Sequence, residues 1–163
     1  MPTLNNFSFQ QVPGQPLQPS PQALIQNGPI IQIQIEVPEA LAASLQATTQ
    51  PIPNPVDGIA LIDTGATITS VHAPILIGLG INPVGVVTVG TAGGPQQQSA
   101  YPAKFRFPGT QLPGFELARV IGCDLTGQTV MNQRPIIALI GRDVLSRAVL
   151  VYNGSAGMFS LSF

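Results

Sequence analysis

The sequence predicts an all-β fold, a closed or partly closed barrel with one or two short helices. Short segments rich in β-branched residues follow one another between glycine and proline turns, as is typical of an all-β domain. One of them, Ile30–Val37, alternates between apolar and polar side chains as a half-buried strand does. The segments have no repeat period, so a barrel is favoured over a propeller or a solenoid.

Further elements can be assigned along the rest of the chain. Helices are predicted at Glu39–Gln50, from apolar residues at helical spacing, and at Ala73–Leu79, where Pro74 suits the first helical turn. Val84–Thr91 and Ser99–Phe107 are predicted to form a hairpin. The remaining predicted strands are Ile59–Ile62, Thr67–Val71, Phe115–Ile121, Ile136–Ile140, Val149–Tyr152 and Gly157–Phe163.

Composition divides the chain into two regions. Residues 1–28 are rich in glutamine and proline, with scattered apolar residues. They are predicted to form a flexible N-terminal arm, because they bury too little apolar surface to offset the entropy of ordering. Residues 29–163 hold the predicted strands and are assigned to one domain, because a chain of 163 residues is too short for two domains that each bury a sizeable core.

The composition also argues against several functional classes. Charged residues make up 8% of the chain and the net charge is −1, so no basic surface for nucleic acid is expected. One cysteine and one histidine cannot form a zinc site, and no phosphate-binding glycine motif occurs, so no metal and no cofactor are expected. The first residues lack a signal peptide or a membrane anchor, which predicts a soluble, cytoplasmic protein without a membrane partner.

An apolar strand, Ile59–Ile62, leads directly into Asp63-Thr64-Gly65. A tight turn after a buried strand presents the aspartate for chemistry, and the small Ala66 suits close packing beneath it.

A second apolar strand, Ile136–Ile140, ends in Gly141 and is followed by the short helical pattern Arg142–Leu145. Glycine is needed at this position if the loop that carries the acid passes close to the backbone there, leaving no room for a Cβ atom. We interpret Arg142 and Asp143 as structural residues near the site, since arginine suits bidentate contacts near an interface.

The two motifs, residues 63–66 and 140–145, together resemble the retropepsin-like aspartic proteases, and more closely their single-domain bacterial members than the viral enzymes. The resemblance covers about Ile30 to Phe163. It implies a barrel of the retropepsin-like acid protease type and a homodimer in which Asp63 of each copy meets at a two-fold axis. It also implies an aspartic endopeptidase that acts on polypeptides, with water as the nucleophile and an acidic to mildly acidic optimum.

The resemblance assigns further roles around this aspartate. Thr64 is expected to reach across the axis with its hydroxyl, and Gly65 to bring its backbone N–H close to the carboxylates. The hairpin from about Val87 to Phe107 falls where the family has its flap, a β-ribbon that folds over substrate. Residues expected to contact substrate are Ile62, Ala66, Val89, Ile137, Ile140 and the flap-tip residues Gly93 and Gly94.

One contact of the family, the ion pair of an arginine, is expected to differ here, and a second, the interfacial sheet, is expected to recur. In viral relatives the arginine that matches Arg142 pairs with an acid, and Thr67 occupies the position of that acid in this chain. The acids that could replace it are Asp143, Asp124 and Asp57. The alternating apolar residues of Met158–Phe163 are expected to join their symmetry mates in an interfacial sheet.

Other readings of the sequence remain open. A non-catalytic module could keep the same fold for dimerisation or peptide binding, because fold does not dictate function. A latent monomer could be activated by removal of the N-terminal arm, if that arm covers the interface or the cleft. A serine or cysteine hydrolase is disfavoured, because His72 is the lone histidine and Cys123 lies outside any nucleophile motif.

Overall fold

β-Strands make up most of the regular structure in this computed structural model, which describes residues 1–91, 94–130 and 134–163. The prediction of a mostly β fold is therefore confirmed. The helices of the described residues are α1 (Pro21–Asn27), α2 (Glu39–Ala47), α3 (Ala73–Gly78) and α4 (Arg142–Leu145). The strands are β1 (Thr3–Phe7), β2 (Phe9–Gln10), β3 (Gln18–Pro19), β4 (Ile30–Glu36), β5 (Val56–Ile62), β6 (Ser70–His72), β7 (Gly85–Thr91), β8 (Gly94–Arg106), β9 (Phe115–Cys123), β10 (Thr129–Val130), β11 (Arg134–Ile140), β12 (Val149–Asn153) and β13 (Met158–Ser162).

The largest sheet closes partly into a ring. Its strand order is β10-β11-β5-β4-β8-β9-β6, and β6 pairs in turn with β11. This last pairing closes a ring from β11 through β5, β4, β8 and β9 to β6, while β7 and β10 are attached outside it. The arrangement is the partly closed barrel that the pattern of short strands predicts.

The strand β11 lies between β5 and β6, so the segment that connects β5 to β6 must pass over the end of β11. It runs parallel to β5, with Ile140 beside Ile62, and antiparallel to β6, with Ala138 beside Val71. Parallel neighbours end at the same edge of a sheet. The turns that follow Ile62 and Ile140 therefore emerge side by side, and residues 63–69 cross the end of β11 to reach β6.

The main core is formed by apolar side chains that alternate along the ring strands. In β4 the side chains of Ile31, Ile33 and Ile35 are buried and that of Gln32 is exposed, which confirms the predicted half-buried strand. Burial of these residues removes apolar surface from water and is the main stabilising contribution to the barrel.

Residues 1–28 do not form the flexible arm that their composition predicts. The strand β1 pairs with β13 along its whole length, from Thr3 beside Ser162 to Phe7 beside Met158. The helix α1 is capped by Ser20, whose Oγ accepts the N–H of Ala23 at 3.2 Å, and it buries Leu24 completely. Composition averages over a segment, so it misses a few apolar residues that lie where they can pack on the domain.

The expected pairing of Met158–Phe163 with a symmetry mate is also wrong. The strand β13 is the middle strand of a three-stranded sheet, with β1 on one side and β12 on the other. Both of its edges are therefore occupied by the chain itself. Its apolar residues Phe159 and Leu161 are fully buried and pack into the main core.

The helices differ in number from the predicted one or two. The predicted α2 and α3 are present, although they end at Ala47 and Gly78 instead of Gln50 and Leu79. The helical pattern after Gly141 forms α4. The helix α1 lies within the proline-rich segment, where Pro21 occupies the first helical turn and does not break the helix.

Replacement of Leu24 by alanine tests whether the N-terminal segment is part of the core. We expect Leu24→Ala to lower the free energy of unfolding by about 2–5 kcal/mol, because it leaves a cavity at a fully buried position. The matched control is the next residue, Ile25→Ala, which is 68% exposed and should change stability by less than about 0.5 kcal/mol. Chemical denaturation measures both, and equal small effects would contradict the packing of α1.

Candidate active site

The end of β5 places Asp63 beside the end of β11. The backbone N–H of Asp63 donates to the carbonyl of Ile140 at 2.9 Å, which continues the parallel pairing by one residue. Asp63 is half-buried, while Thr64 and Gly65 are exposed. A strand of the barrel therefore holds the aspartate backbone, and the carboxylate stays within reach of solvent.

The turn after Asp63 wraps its backbone N–H groups around the carboxylate. Oδ1 of Asp63 accepts the N–H of Gly65 at 2.8 Å and the N–H of Ala66 at 3.2 Å. A Cβ atom at Gly65 would lie 3.1 Å from the same oxygen, so glycine allows this close approach. Within the described part of the chain, Oδ2 has no hydrogen-bond donor. One carboxylate oxygen is thus oriented by the turn, and the other is open to a ligand.

The side chain of Arg142 holds the same turn from the other side. Its Nη1 donates to the carbonyls of Thr64 at 2.7 Å and Gly65 at 3.1 Å, and its Nη2 donates to Oγ1 of Thr67 at 2.8 Å. The planar guanidinium suits such a set of fixed acceptors. Asp143, Asp124 and Asp57 were the expected partners, and none of these carboxylates forms a salt bridge with Arg142 among the described residues.

A buried threonine links Asp143 to the site. Oγ1 of Thr69 donates to Asp143 Oδ1 at 2.7 Å and accepts the N–H of Gly141 at 3.0 Å. The carboxylate of Asp143 also accepts the N–H groups of Thr69 at 3.0 Å and Val144 at 2.9 Å. These bonds satisfy a fully buried hydroxyl and one backbone N–H in the first turn of α4. Asp143 is therefore structural, as interpreted from the sequence, while the role of Thr69 was not anticipated.

The glycine at position 141 is required by a close backbone approach, as the sequence predicts. A Cβ atom there would lie 2.7 Å from the carbonyl carbon of Ile68 and 2.9 Å from the nitrogen of Thr69. The backbone N–H groups of Arg142 and Asp143 donate to the carbonyls of residues 66 and 67, at 2.9 and 3.2 Å. The two crossing segments, residues 66–69 and 141–143, are thus in direct backbone contact, and no side chain fits between them.

A cleft of about 540 Å³ opens between the turn after Asp63 and the strand β7, which pairs with β8 in a hairpin. Of the residues expected to contact substrate, Ala66 and Val89 line it. Gly94 begins β8 and pairs with Thr91, and Gly93 lies outside the described residues. The residues that line the cleft are Gly65, Ala66, Thr67, Ile68, Ser70, Thr88, Val89, Gly90, Ile121 and Leu139, none of which is charged.

Three of the expected substrate-binding residues are instead part of the core. Ile62, Ile137 and Ile140 are buried, with 1–5% of their surface exposed, and they pack within the main apolar cluster. The half-buried Leu139 precedes Ile140 in β11, points to the opposite face from it and lines the cleft. Because Ile136–Ile140 is apolar on both faces, its sequence does not reveal which face meets the cleft.

Thr64 has the exposure that its expected role requires. Its side chain is exposed, and among the described residues its hydroxyl has no hydrogen-bond partner. It is not used to cap its own turn, in contrast to Thr67 and Thr69, whose hydroxyls contact Arg142 and Asp143. The hydroxyl of Thr64 is therefore available to an external group.

The other chemically reactive side chains lie elsewhere on β6 and β9, where His72 is beside Cys123. Nδ1 of His72 accepts the N–H of Leu125 at 3.1 Å, which is a structural use of the ring. Burial raises the pKa of the Cys123 thiol, so the reactive thiolate is disfavoured. Hydrogen bonds from the hydroxyl and N–H of Thr126 lower the pKa of Asp124. The described residues contain no group of three or more metal-ligating side chains.

Comparison with protein-family models and with curated proteins found no match to this chain. Among the described residues, no helix combines the length and the apolar character needed to cross a membrane.

Replacement of Gly141 by alanine tests the close crossing at the site. We expect Gly141→Ala to lower the free energy of unfolding by about 2 kcal/mol or more, because the added methyl group meets backbone atoms that cannot rotate away. The control is Gly78→Ala near the end of α3, where nothing lies within 4 Å of the added atom. That change should be neutral or stabilising by up to about 1 kcal/mol. Thermal or chemical denaturation distinguishes the two variants.

A conservative change at Arg142 tests the clamp on the Asp63 turn. Lysine keeps the charge but cannot reach three fixed acceptors in one plane, so Arg142→Lys should cost about 1–3 kcal/mol of stability. Arg147→Lys, at an exposed position just after α4, should change stability by less than about 0.5 kcal/mol. Denaturation curves that give equal values for both variants would contradict the clamp.

Proposed function

We propose that this protein is an aspartic endopeptidase of the retropepsin-like type, in which Asp63 of two identical chains forms the catalytic pair. The observation that carries the proposal is the half-buried Asp63, which has one carboxylate oxygen held by two backbone N–H groups and the other without a donor among the described residues. Asp63 itself does not line the uncharged cleft, but Gly65 and Ala66 of its turn do. The crossing of residues 63–69 over β11 and the clamp from Arg142 give this carboxylate a rigid position.

The second carboxylate of the pair comes from a second copy of the chain. Asp143 is already engaged with Thr69 and Val144, and Asp124 accepts the N–H of Thr126 at 2.8 Å. Asp57 is exposed on β5, five positions before the end of that strand. Asp124 follows β9 and accepts the N–H two residues later, as Asp63 does, but residues 124–127 do not line the cleft, whereas Gly65 and Ala66 do. A two-fold axis would supply a second carboxylate identical to that of Asp63.

The chemistry follows from placing two carboxylates within a few ångströms. They would share one proton, because two adjacent negative charges are costly. The ionised carboxylate would take a proton from a water molecule, which attacks the scissile carbonyl while the protonated carboxylate hydrogen-bonds the carbonyl oxygen. Bonding from the N–H groups of Gly65 and Ala66 keeps Asp63 oriented during these steps. The exposed hydroxyl of Thr64 would bond across the axis.

The cleft favours an extended polypeptide with apolar side chains. Its apolar lining residues include Ile68, Val89, Ile121 and Leu139, and Ser70 and Thr88 add neutral hydroxyl groups. A charged substrate side chain would lose hydration there without gaining an opposite charge. The hairpin of β7 and β8 contributes Thr88, Val89 and Gly90 to the cleft, which supports its proposed role as the flap. Residues 1–28 do not line the cleft, so the described arm does not block it.

The proposal is tested with the replacement of Asp63 by asparagine. We expect the unmodified chain to cleave a denatured apolar protein at some pH between about 3 and 7, with activity lost when the pair is fully protonated or fully ionised. Asp63→Asn should reduce cleavage at least about a hundredfold, because asparagine cannot exchange the proton. Mass spectrometry of the products measures both the rate and the residues that flank each cut.

The matched control is Asp57→Asn, the same chemical change at an exposed residue of β5. It should leave cleavage within about twofold of the unmodified chain. Cleavage that persists in Asp63→Asn would show that another group or a contaminant is responsible. Absence of cleavage at every pH and concentration, with folded protein, would favour the alternative, a non-catalytic module for dimerisation or peptide binding.

A further inference from the structure

The strand β12 leaves one edge of the three-stranded sheet open. Its neighbour is β13 on one side, and no described strand lies on the other. An open edge presents N–H and C=O groups that can pair with another strand, and soluble proteins usually protect it with a charge, a proline or a bulge. The sequence of β12, Val-Leu-Val-Tyr-Asn, has neither charge nor proline, and its register with β13 has no bulge.

The side chains of β12 are unusually exposed for apolar residues. Val149 is 51% exposed, Val151 is 54% exposed and Tyr152 is 50% exposed. Side chains alternate along a strand, so the two valines share one face of the sheet and Tyr152 lies on the other. Apolar surface is therefore exposed on both faces next to an open backbone edge, which is a combination suited to pairing with another strand.

We propose that β12 pairs antiparallel with β12 of a second copy, and that this contact forms the homodimer. The inference rests on the proposed function, since a site with one Asp63 is incomplete without a second chain. An antiparallel pair of identical strands is self-complementary about a two-fold axis. The edge carries no charge, so pairing with itself sets no like charges opposite each other.

The position of β12 suits an interface that must bring two Asp63 turns together. The helix α4 begins with Arg142, which holds the Asp63 turn, and residues 146–148 connect α4 to β12. This short connection keeps the open edge in the same part of the molecule as the site. The other outer strand, β1, also reaches this part of the molecule, because Nδ2 of Asn6 donates to the carbonyl of Ile30, which pairs with Leu61. Its sequence, Thr-Leu-Asn-Asn-Phe, is more polar than that of β12.

The register of the proposed pair follows from its symmetry. Odd-numbered residues of β12 share one face of the sheet and even-numbered residues share the other. The two sheets therefore join with like faces together when odd residues lie opposite odd ones and even residues opposite even ones. All five residues of β12 then pair if Val151 lies opposite the partner's Val151 and Val149 lies opposite the partner's Asn153. Any other register of the same parity shortens the overlap and leaves part of the apolar edge exposed.

A disulfide across the axis tests this register. Opposite residues of an antiparallel pair have Cα atoms about 4.5–5.5 Å apart, which is within the range of a disulfide. In the full chain with Cys123→Ala, Val151→Cys should give a covalent dimer under mild oxidation on a non-reducing gel. Thr3→Cys is the control, because Thr3 and Val149 both pair with Ser162 and so lie on the same sheet face, at the opposite edge. It should remain largely uncrosslinked.

A charge at the same position tests the contact without a new bond. Val151→Lys should raise the dimer dissociation constant at least about tenfold in analytical ultracentrifugation, because two lysines would lie opposite each other. Thr3→Lys should change it less than about twofold. Circular dichroism spectra matching those of the unmodified chain would confirm that both variants fold.

The possible results separate this inference from the proposed function. The chain could be a dimer that cleaves peptides with Asp63 while Val151→Lys and Val151→Cys give the same results as Thr3→Lys and Thr3→Cys. The interface then lies elsewhere, and this inference is overturned. If Val151→Cys crosslinks and Val151→Lys weakens the dimer, but the chain cleaves no peptide, the result supports the interface and overturns the proposed peptidase activity. A chain that remains monomeric at every concentration overturns the interface.

Discussion

The geometry of the candidate site depends on the contact between two turns. The turns after β5 and β11 leave the sheet side by side because these strands are parallel neighbours. The chain must then cross β11 to reach β6, and it passes so close to Gly141 that a Cβ atom would touch the backbone of Ile68 and Thr69. The position of the Asp63 carboxylate follows from this crossing, because its turn cannot shift without displacing α4.

Polar contacts stabilise the crossing without a salt bridge between its two sides among the described residues. Arg142 donates to two carbonyls and to Thr67, and Asp143 accepts from Thr69 and from the start of α4. Arg142 thus acts as a hydrogen-bond donor to the loop of residues 63–69, and Asp143 acts as an acceptor from it. Bonds to backbone groups orient the turn itself, whereas an ion pair would orient two side chains. This suits a site in which the backbone N–H groups hold the carboxylate.

The terminal strands show how tertiary context overrides a local pattern. The alternation in Met158–Ser162 predicts a strand with an apolar face, and that strand is present. Its neighbours could not be predicted, because pairing depends on which strands reach it in the folded chain. The strand β1 pairs along one edge of β13 and β12 along the other, so β1 and β12 become the two outer strands of this sheet. The same reason explains why the N-terminal segment, polar on average, is nevertheless packed against the domain.

The sequence by itself determined the presence and type of most elements, the acid at Asp63 and the need for glycine at 141. These features follow from local rules, namely strand alternation, turn chemistry and the space that a Cβ atom requires. The tertiary structure decided which face of β11 meets the cleft, what Arg142 binds and which strands form the outer edges of the three-stranded sheet. These features depend on contacts between residues far apart in the chain, such as Leu139 with the cleft and Arg142 with Thr64. No local pattern encodes them, because both faces of a buried strand are apolar and an arginine can bond a carbonyl as well as a carboxylate.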